Sequence, residues 1–278
     1  IEASQVLPGL PGAPAKGAPR AVRNVYAASG ADAVAVFWER SPEAPVQGYE
    51  IARKAEGEPE FKVLGRVSKI VGVNHPTGGS SGRIHLPALR PCFYRDATVT
   101  PGVAYSYRVR AVDAKGEMGP EAVSKPLATR PARSPEPSEV LLLAVDGDDA
   151  SLAVARHYAE KRKVPQENIL KLRLPKAAHL FRCEEHAARP VREHLLSRGL
   201  AGKIKVIVPC FGMPLGDGWR AVDSILTDPF GYYSWGRIMG TDNPLFTRDA
   251  HFEGTYGLYL VTRLDGPDAK TAMSLVDK

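Results

Sequence analysis

Residues 99–112 read VTPGVAYSYRVRAV, a Pro-Gly turn that leads into an alternating strand beginning near Tyr105. Pro101 sets φ and Gly102 tolerates a positive φ, so the sequence itself builds a tight turn before the tyrosine. From this position a tyrosine hydroxyl can fold back onto backbone a few residues upstream, which is the tyrosine corner of β-sandwiches. The stretch therefore predicts that the first half of the chain is an antiparallel sandwich.

Composition limits the function without declaring it. The chain has 278 residues, enough for two domains that each bury a core. Its formal charge of +6 comes from basic residues scattered among acids and apolar residues, so we expect no nucleic-acid partner. No apolar run approaches the roughly 20 residues of a membrane helix, so we expect no transmembrane segment.

The order of the segments predicts four parts. Residues 1–19 form an extended Pro/Gly-rich tail, 20–130 the sandwich, 131–138 a proline-rich linker, and 139–278 an α/β domain. The last helical pattern runs to the final residue, so we expect the α/β domain to be truncated or processed there. We also expect the tail to contact another subunit, because it cannot build a core of its own.

Three features of the first half resemble the fibronectin type III family. Trp38 ends an alternating strand that places Val34 and Val36 on the same face, and it stands where that family has its core tryptophan. Tyr105 stands at the corner position, and the sequence DAKGEMG at 113–119 is similar to the last hairpin of the family. The resemblance implies a binding module typical of extracellular chains. The insertion at 68–93 departs from the pattern and leaves the middle strands open.

The second half alternates apolar strands with helices. The run EVLLLAV at 139–145 is continuous, as in a strand buried on both faces, and further strands are expected near 168–174, 203–210 and 257–264. This alternation predicts a mainly parallel sheet in a doubly wound order. The fold class is therefore multidomain, with an all-β sandwich followed by an α/β domain.

Several motifs of the second half resemble an uncharacterised family of bacterial, mostly exported, proteins. They include FGMPL at 211–215, AVDS at 221–224 and YLVTRLDGP at 259–267. That family has no assigned activity to carry over, and the resemblance implies export to the periplasm, cell surface or exterior. The sheet order is also similar to that of caspase- and gingipain-like peptidases, which is an analogy of fold alone.

Polar residues follow the predicted strands at the edge where parallel sheets bind ligands. The candidate ligand site comprises Asp146, Asp148, Asp223, Ser224, Arg263 and Asp265. An alternative interpretation is purely structural: the aspartates after the first strand are natural helix caps, and Arg263 and Asp265 can pair with each other.

No complete catalytic set is visible in the sequence, so the catalytic residues stay unknown. Cys210 ends a strand, but no histidine follows the neighbouring one, and the G-x-S-x-G and Gly-rich phosphate motifs are absent. The spacing of histidines and cysteines predicts no metal site, and we expect no cofactor. The disulfide state of Cys92, Cys183 and Cys210 is left open.

Apolar side chains in two irregular segments are candidates for partner binding. They are Val6, Leu7 and Leu10 in the tail, and Tyr232, Tyr233 and Trp235 in an aromatic-rich insertion. The alternative is that each segment packs on its own chain.

The sequence favours a non-enzymatic accessory or scaffold subunit of an exported or envelope assembly. Its partners would be other protein subunits that the fibronectin-like module binds. The alternative is a secreted hydrolase, possibly peptidase-like, whose catalytic set is incomplete in this chain.

Overall fold

The structure is a computed structural model that describes residues 18–278, except 42, 44, 69–70, 73–86, 89–91, 131–132, 219 and 231–256. The first half is built from strands alone. These are β1 (Tyr26–Ser29), β2 (Val34–Phe37), β3 (Val46–Ala55), β4 (Lys62–Ser68), β5 (Val71–Gly72), β6 (Pro87–Ala88), β7 (Phe93–Asp96), β8 (Ala104–Asp113), β9 (Ala122–Val123) and β10 (Leu127–Ala128).

Two antiparallel sheets make the sandwich. One sheet has the order β1–β2–β7, and the other has the order β10–β8–β3–β4 with β9 also paired to β8. Trp38 and Tyr49 are buried between them and meet edge to face, 5.3 Å apart. This is the strand arrangement of the fibronectin type III sandwich, so the predicted sandwich is confirmed.

The tyrosine corner forms as the sequence predicts. The backbone N–H of Thr100 donates to the hydroxyl of Tyr105 at 3.1 Å, and Gly102 between them has φ +81°. The bond fixes the crossover between the sheets at the point where β8 begins. One hydrogen bond thus joins the Pro-Gly turn, which needs a positive φ at Gly102, to the tyrosine at the start of β8.

A buried carboxylate network lies beside the corner. Asp96 is 2% exposed, and it accepts hydrogen bonds from Arg53 (2.6 Å), from Tyr107 Oη (3.0 Å) and from both the backbone and the hydroxyl of Thr98. Burial alone would raise the pKa of Asp96, but the bonds from Thr98, Arg53 and Tyr107 outweigh it and hold that pKa below its ordinary value. The network joins both sheets through one ionised group.

The second half is a parallel sheet with helices. Its elements are β11 (Val140–Val145), α1 (Asp149–Arg162), β12 (Ile169–Leu172), α2 (Arg189–Ser197), β13 (Val206–Pro209), α3 (Val222–Thr227), β14 (Leu260–Val261) and α4 (Ala269–Val276). The strand order is β12–β11–β13–β14, and every pairing is parallel. The predicted parallel sheet is therefore confirmed, although β14 is much shorter than the stretch 257–264 that we expected.

The two halves meet through a row of aromatic rings, here called the aromatic seam: Tyr26, Phe37 and Phe93 of the sandwich with Phe230 and Tyr259 of the α/β half. The register places the three sandwich residues side by side across β1, β2 and β7. Successive centroids are 5.1 Å (Tyr26–Phe37) and 5.4 Å (Phe37–Phe93) apart, Tyr26 lies 5.9 Å from Phe230, and Phe230 lies 6.4 Å from Tyr259. These are separations at which aromatic pairs attract.

The aromatic seam explains why β2 is buried on both faces although its sequence alternates. The pattern predicts that Val34, Val36 and Trp38 share one core-facing side, but all residues of β2 are buried. Phe37, on the opposite side, is covered because Tyr26 and Phe93 stack on it and the α/β half lies beyond them. The sheet β1–β2–β7 is therefore an inner layer with a core on both faces.

Close backbone contact and a charged cluster complete the junction. A Cβ built on Gly202 would overlap the carbonyl oxygen of Ala27 in β1, so only glycine fits there. Glu139, buried just before β11, accepts from Arg130 at 2.7 Å and from Arg133 at 3.1 Å. Burial would raise the pKa of Glu139, but the backbone N–H of Glu136 and the two arginines lower it.

Replacing Gly202 tests whether the halves dock as described. Gly202→Ala should lower the free energy of unfolding by about 1–3 kcal/mol, because the added methyl forces backbone apart at the junction. Gly65→Ala is the matched control, since a Cβ there meets nothing within 4 Å. Urea unfolding monitored by tryptophan fluorescence measures both variants. Equal stability of the two variants would contradict the close approach.

The Asp96 network predicts that the free energy of unfolding falls at acid pH. Because folding lowers the pKa of Asp96, its contribution is full above the ordinary aspartate value of about 4 and is lost as pH falls through the lowered value. Asp96→Asn should be less stable at neutral pH and should lose less stability on acidification. Denaturant midpoints measured across this acid range test it. Asp32→Asn is the control, since that carboxylate is 72% exposed in a surface ion pair; an identical fall at acid pH in both variants would refute the role.

Candidate functional site

The carboxyl ends of the parallel strands form the edge at which the sequence predicts a ligand site. β11 and β13 are neighbours, and the chain leaves β11 toward β12 on one side and reaches β13 on the other. Such a change of direction opens a crevice that binds ligands in many open α/β sheets. Residues following β11, β13 and β14 therefore lie along one edge, as the isolated bridge between Cys210 and Leu264 also shows.

The two aspartates after β11 have separate local partners. Asp148 is the N-cap of α1, and its carboxylate accepts from the backbone N–H groups of Ala150 (2.9 Å) and Ser151 (3.1 Å). Asp146 is exposed, and its carboxylate lies 3.8 Å from Arg173 Nε, a surface pair of little energetic weight. The helix-cap interpretation thus accounts for Asp148.

The loop after β13 passes close to the first turn of α1. Gly212 has φ +87°, and a Cβ built on it would lie 3.0 Å from the Asp148 carboxylate and 3.6 Å from the Ser151 side chain. The loop therefore packs on the first turn of α1, where a phosphate would otherwise bind the free N–H groups of a helix.

Arg263 is held by the chain on all three of its side-chain nitrogens. Its Nε and Nη2 donate to the two carboxylate oxygens of Asp223 at 3.2 and 2.7 Å. Its Nη1 donates to the carbonyl of Met213 at 2.8 Å, and Nη2 also donates to that of Pro214 at 3.1 Å. The Arg263 side chain is 13% exposed. This bidentate pair fastens the loop after β13 to α3 and β14.

The remaining candidates lie around this pair. Asp265 is 3.8 Å from Arg263 Nη1, and Ser224 is exposed on α3. The structure thus brings Asp223, Arg263 and Asp265 together, whereas Asp148 caps a helix and Asp146 faces Arg173. The pairing that we expected between Arg263 and Asp265 is secondary to the one with Asp223. A ligand role for the six residues stays a prediction.

The described thiols do not have the properties of nucleophiles. Cys92, Cys183 and Cys210 are buried, and none of them forms a disulfide. Burial raises the pKa of Cys210 to about 12, and burial together with Asp217 raises the pKa of Cys183 to about 11. A catalytic cysteine needs the opposite shift, toward the thiolate.

Other predicted sites can be compared only with the described part of the chain. Within it, no cluster of three or more metal-binding side chains occurs, and none of its helices is long and apolar enough to cross a membrane. The predicted partner-binding residues Val6, Leu7, Leu10, Tyr232, Tyr233 and Trp235 lie outside the described residues.

Sequence reasoning did not identify the aromatic seam or the Asp223–Arg263 pair. One sequence feature does indicate the seam. Phe37 at the end of β2 and Trp38 directly after it are large neighbouring residues that point to opposite faces of the sheet. Such a strand has an apolar residue for each face, which is typical of a strand buried on both sides. The pairing of Asp223 with Arg263 spans 40 residues, and no local pattern indicates it.

The chain matches no described protein family and no characterised protein by sequence. Solved structures that it is similar to include a titin segment (16% identity, TM-score 0.29, 40% of this chain and 32% of that chain). They also include the Fn3 domain of human contactin 1 (18%, 0.30, 46% and 94%) and a Fn3-like protein from Clostridium thermocellum (16%, 0.27, 42% and 98%). The match thus spans about a third of the titin structure. The assignment of the sandwich rests on its own strand order.

Arg263→Lys tests the structural role of the pair with Asp223. Lysine cannot reproduce the bidentate geometry or reach both carbonyls, so the free energy of unfolding should fall by about 2 kcal/mol. Arg173→Lys is the matched control, because Arg173 is 91% exposed. Chemical denaturation measures both variants. If Arg263→Lys is as stable as the control, the loop does not depend on this pair.

Proposed function

We propose that the chain is a non-enzymatic accessory or scaffold subunit of an exported or envelope protein assembly, with the sandwich as its binding module. The observation that carries this proposal is the aromatic seam. Its contact between Tyr26 and Phe230 joins the module to the α/β half, and the backbone contact at Gly202 and the Glu139 cluster add to this junction.

A scaffold must hold a binding surface in a defined place. A proline-rich linker alone would let the two halves move independently. Here the linker ends at a buried carboxylate that two arginines contact, and β1 packs directly on the α/β half. The sheet β1–β2–β7 is used for this attachment, which leaves the opposite sheet of the sandwich for partners.

The chemistry of the α/β half is consistent with support rather than catalysis. The loop around Gly212 lies close to the first turn of α1, the guanidinium of Arg263 is engaged by Asp223, and the thiol of Cys210 is buried with a raised pKa. We therefore rank the scaffold function above the hydrolase alternative. Export is proposed from the sequence motifs and from the type of module.

Isolation of the full chain from its source cells tests the proposal. We expect the native protein to migrate on native gels and in size-exclusion chromatography as a stoichiometric complex, and to fractionate outside the cytoplasm. Gly202→Ala should reduce assembly, whereas Gly65→Ala should not, if fixed geometry matters. A monomeric cytoplasmic protein would overturn the proposal.

The hydrolase alternative has its own test. Thiol- and serine-directed activity probes should leave the native full chain unlabelled. If a probe labels the native chain, and Cys210→Ala abolishes this labelling while Cys183→Ala does not, the scaffold function is wrong and a peptidase-like function takes its place.

A further inference from the structure

The register of the outward sheet places a mixed apolar and basic surface on the sandwich. Residue pairing across β4, β3, β8 and β9 puts Val63, Ala52, Arg108 and Val123 in one row. The next row contains Arg66, Glu50 and Arg110, with Glu121 beside Arg110. Because paired residues point to the same face, these two rows share one surface, here called the outer sheet face.

Apolar side chains on this face are unusually exposed. Val63 is 58% and Val123 45% exposed, and they lie on either side of Arg108 in the same row. Met118, also exposed, pairs with Val112 of β8. The seam covers the other sheet of the sandwich with aromatic contacts, so the apolar residues of this sheet are the ones left for a partner.

The charges of the face do not balance. Three arginines, Arg66, Arg108 and Arg110, share the two carboxylates of Glu50 and Glu121, and Lys54 adds a fourth cation that lies over the Phe61 ring. The ion pairs are long, from 3.4 to 3.9 Å, and each carboxylate is divided between two arginines. The two pairs with Glu121, whose side chain is 51% exposed, contribute little, so an incoming carboxylate can replace Glu121 at small cost, whereas the buried Glu50 keeps its two arginines.

Phe61 brings the excess cations together. Lys54 Nζ and the Arg108 guanidinium each lie 5.1 Å from the centroid of its ring. The electron-rich ring attracts both positive groups. The result is a concentrated positive charge directly beside the exposed Val63 and Val123 row.

We propose that the outer sheet face binds an acidic segment of a partner protein that carries aliphatic side chains between its carboxylates. This inference rests on the proposed scaffold function, because it names the partner chemistry of the same module. In an extended partner segment every second residue faces the sheet, so a segment whose facing residues alternate between acidic and aliphatic would meet both the surplus cations and the exposed valines. Nucleic acid fits less well, since a face with two surplus charges neutralises few phosphates.

A designed peptide tests the chemistry directly. The probe is a fluorescein-labelled eight-residue peptide, Leu-Thr-Glu-Thr-Leu-Thr-Glu-Thr, whose Leu and Glu side chains share one face when it is extended, and its anisotropy is measured with the full chain. We expect saturable binding that weakens as NaCl is raised. V63D/V123D should weaken binding at least about tenfold by repelling the carboxylates. The control L180D/L275D changes two apolar residues that are equally exposed elsewhere and should bind as wild type.

A second variant and its matched control test the contribution of positive charge. Lys54→Glu should weaken binding of the peptide several-fold, whereas Lys270→Glu, at an exposed position of α4, should leave it unchanged. Absence of binding, equal binding by V63D/V123D and its control, or tighter binding of an eight-nucleotide single-stranded DNA would each overturn the inference.

The outcome separates this inference from the scaffold function. If V63D/V123D assembles normally in source cells while peptide binding fails, only the outer sheet face is excluded. If the native chain forms no complex but wild type still binds the peptide through this face, the proposed function fails and the surface chemistry stands.

Discussion

The burial of both faces of the sheet β1–β2–β7 is the constraint on which the rest of the structure depends. A sandwich needs one apolar face per sheet, yet this sheet also carries Tyr26, Phe37 and Phe93 on its second face. Covering these rings with the α/β half removes apolar surface from water, so it stabilises the junction. Phe230 and Tyr259 provide this cover, and Gly202 allows the backbones to meet.

This constraint decides which surface of the module is available. In a sandwich attached only by its linker, both outer faces are open to partners. Here the outer face of the sheet β1–β2–β7 packs against the α/β half. The sheet containing β3 and β8 faces solvent with its arginines and exposed valines. The function that we propose follows from this asymmetry: one sheet attaches the module, and the other is free to bind.

Polar groups in the α/β half serve its own architecture. The bidentate contact between Arg263 and Asp223 joins three chain segments that are distant in sequence, and it also uses two loop carbonyls. An arginine with every nitrogen engaged has little left for a ligand carboxylate. The Arg263 guanidinium thus holds the loop after β13 in place.

The sequence by itself determined the features that depend on neighbours along the chain. The Pro-Gly turn before Tyr105 and the continuous apolar run of β11 predicted the sandwich and the parallel sheet, because turn geometry and strand period are local properties. Only the tertiary structure decided that Phe37 lies in a junction, that Gly202 meets Ala27, and that Arg263 pairs with Asp223. These contacts join residues far apart in sequence, and their energies depend on how whole faces pack, which no local pattern encodes.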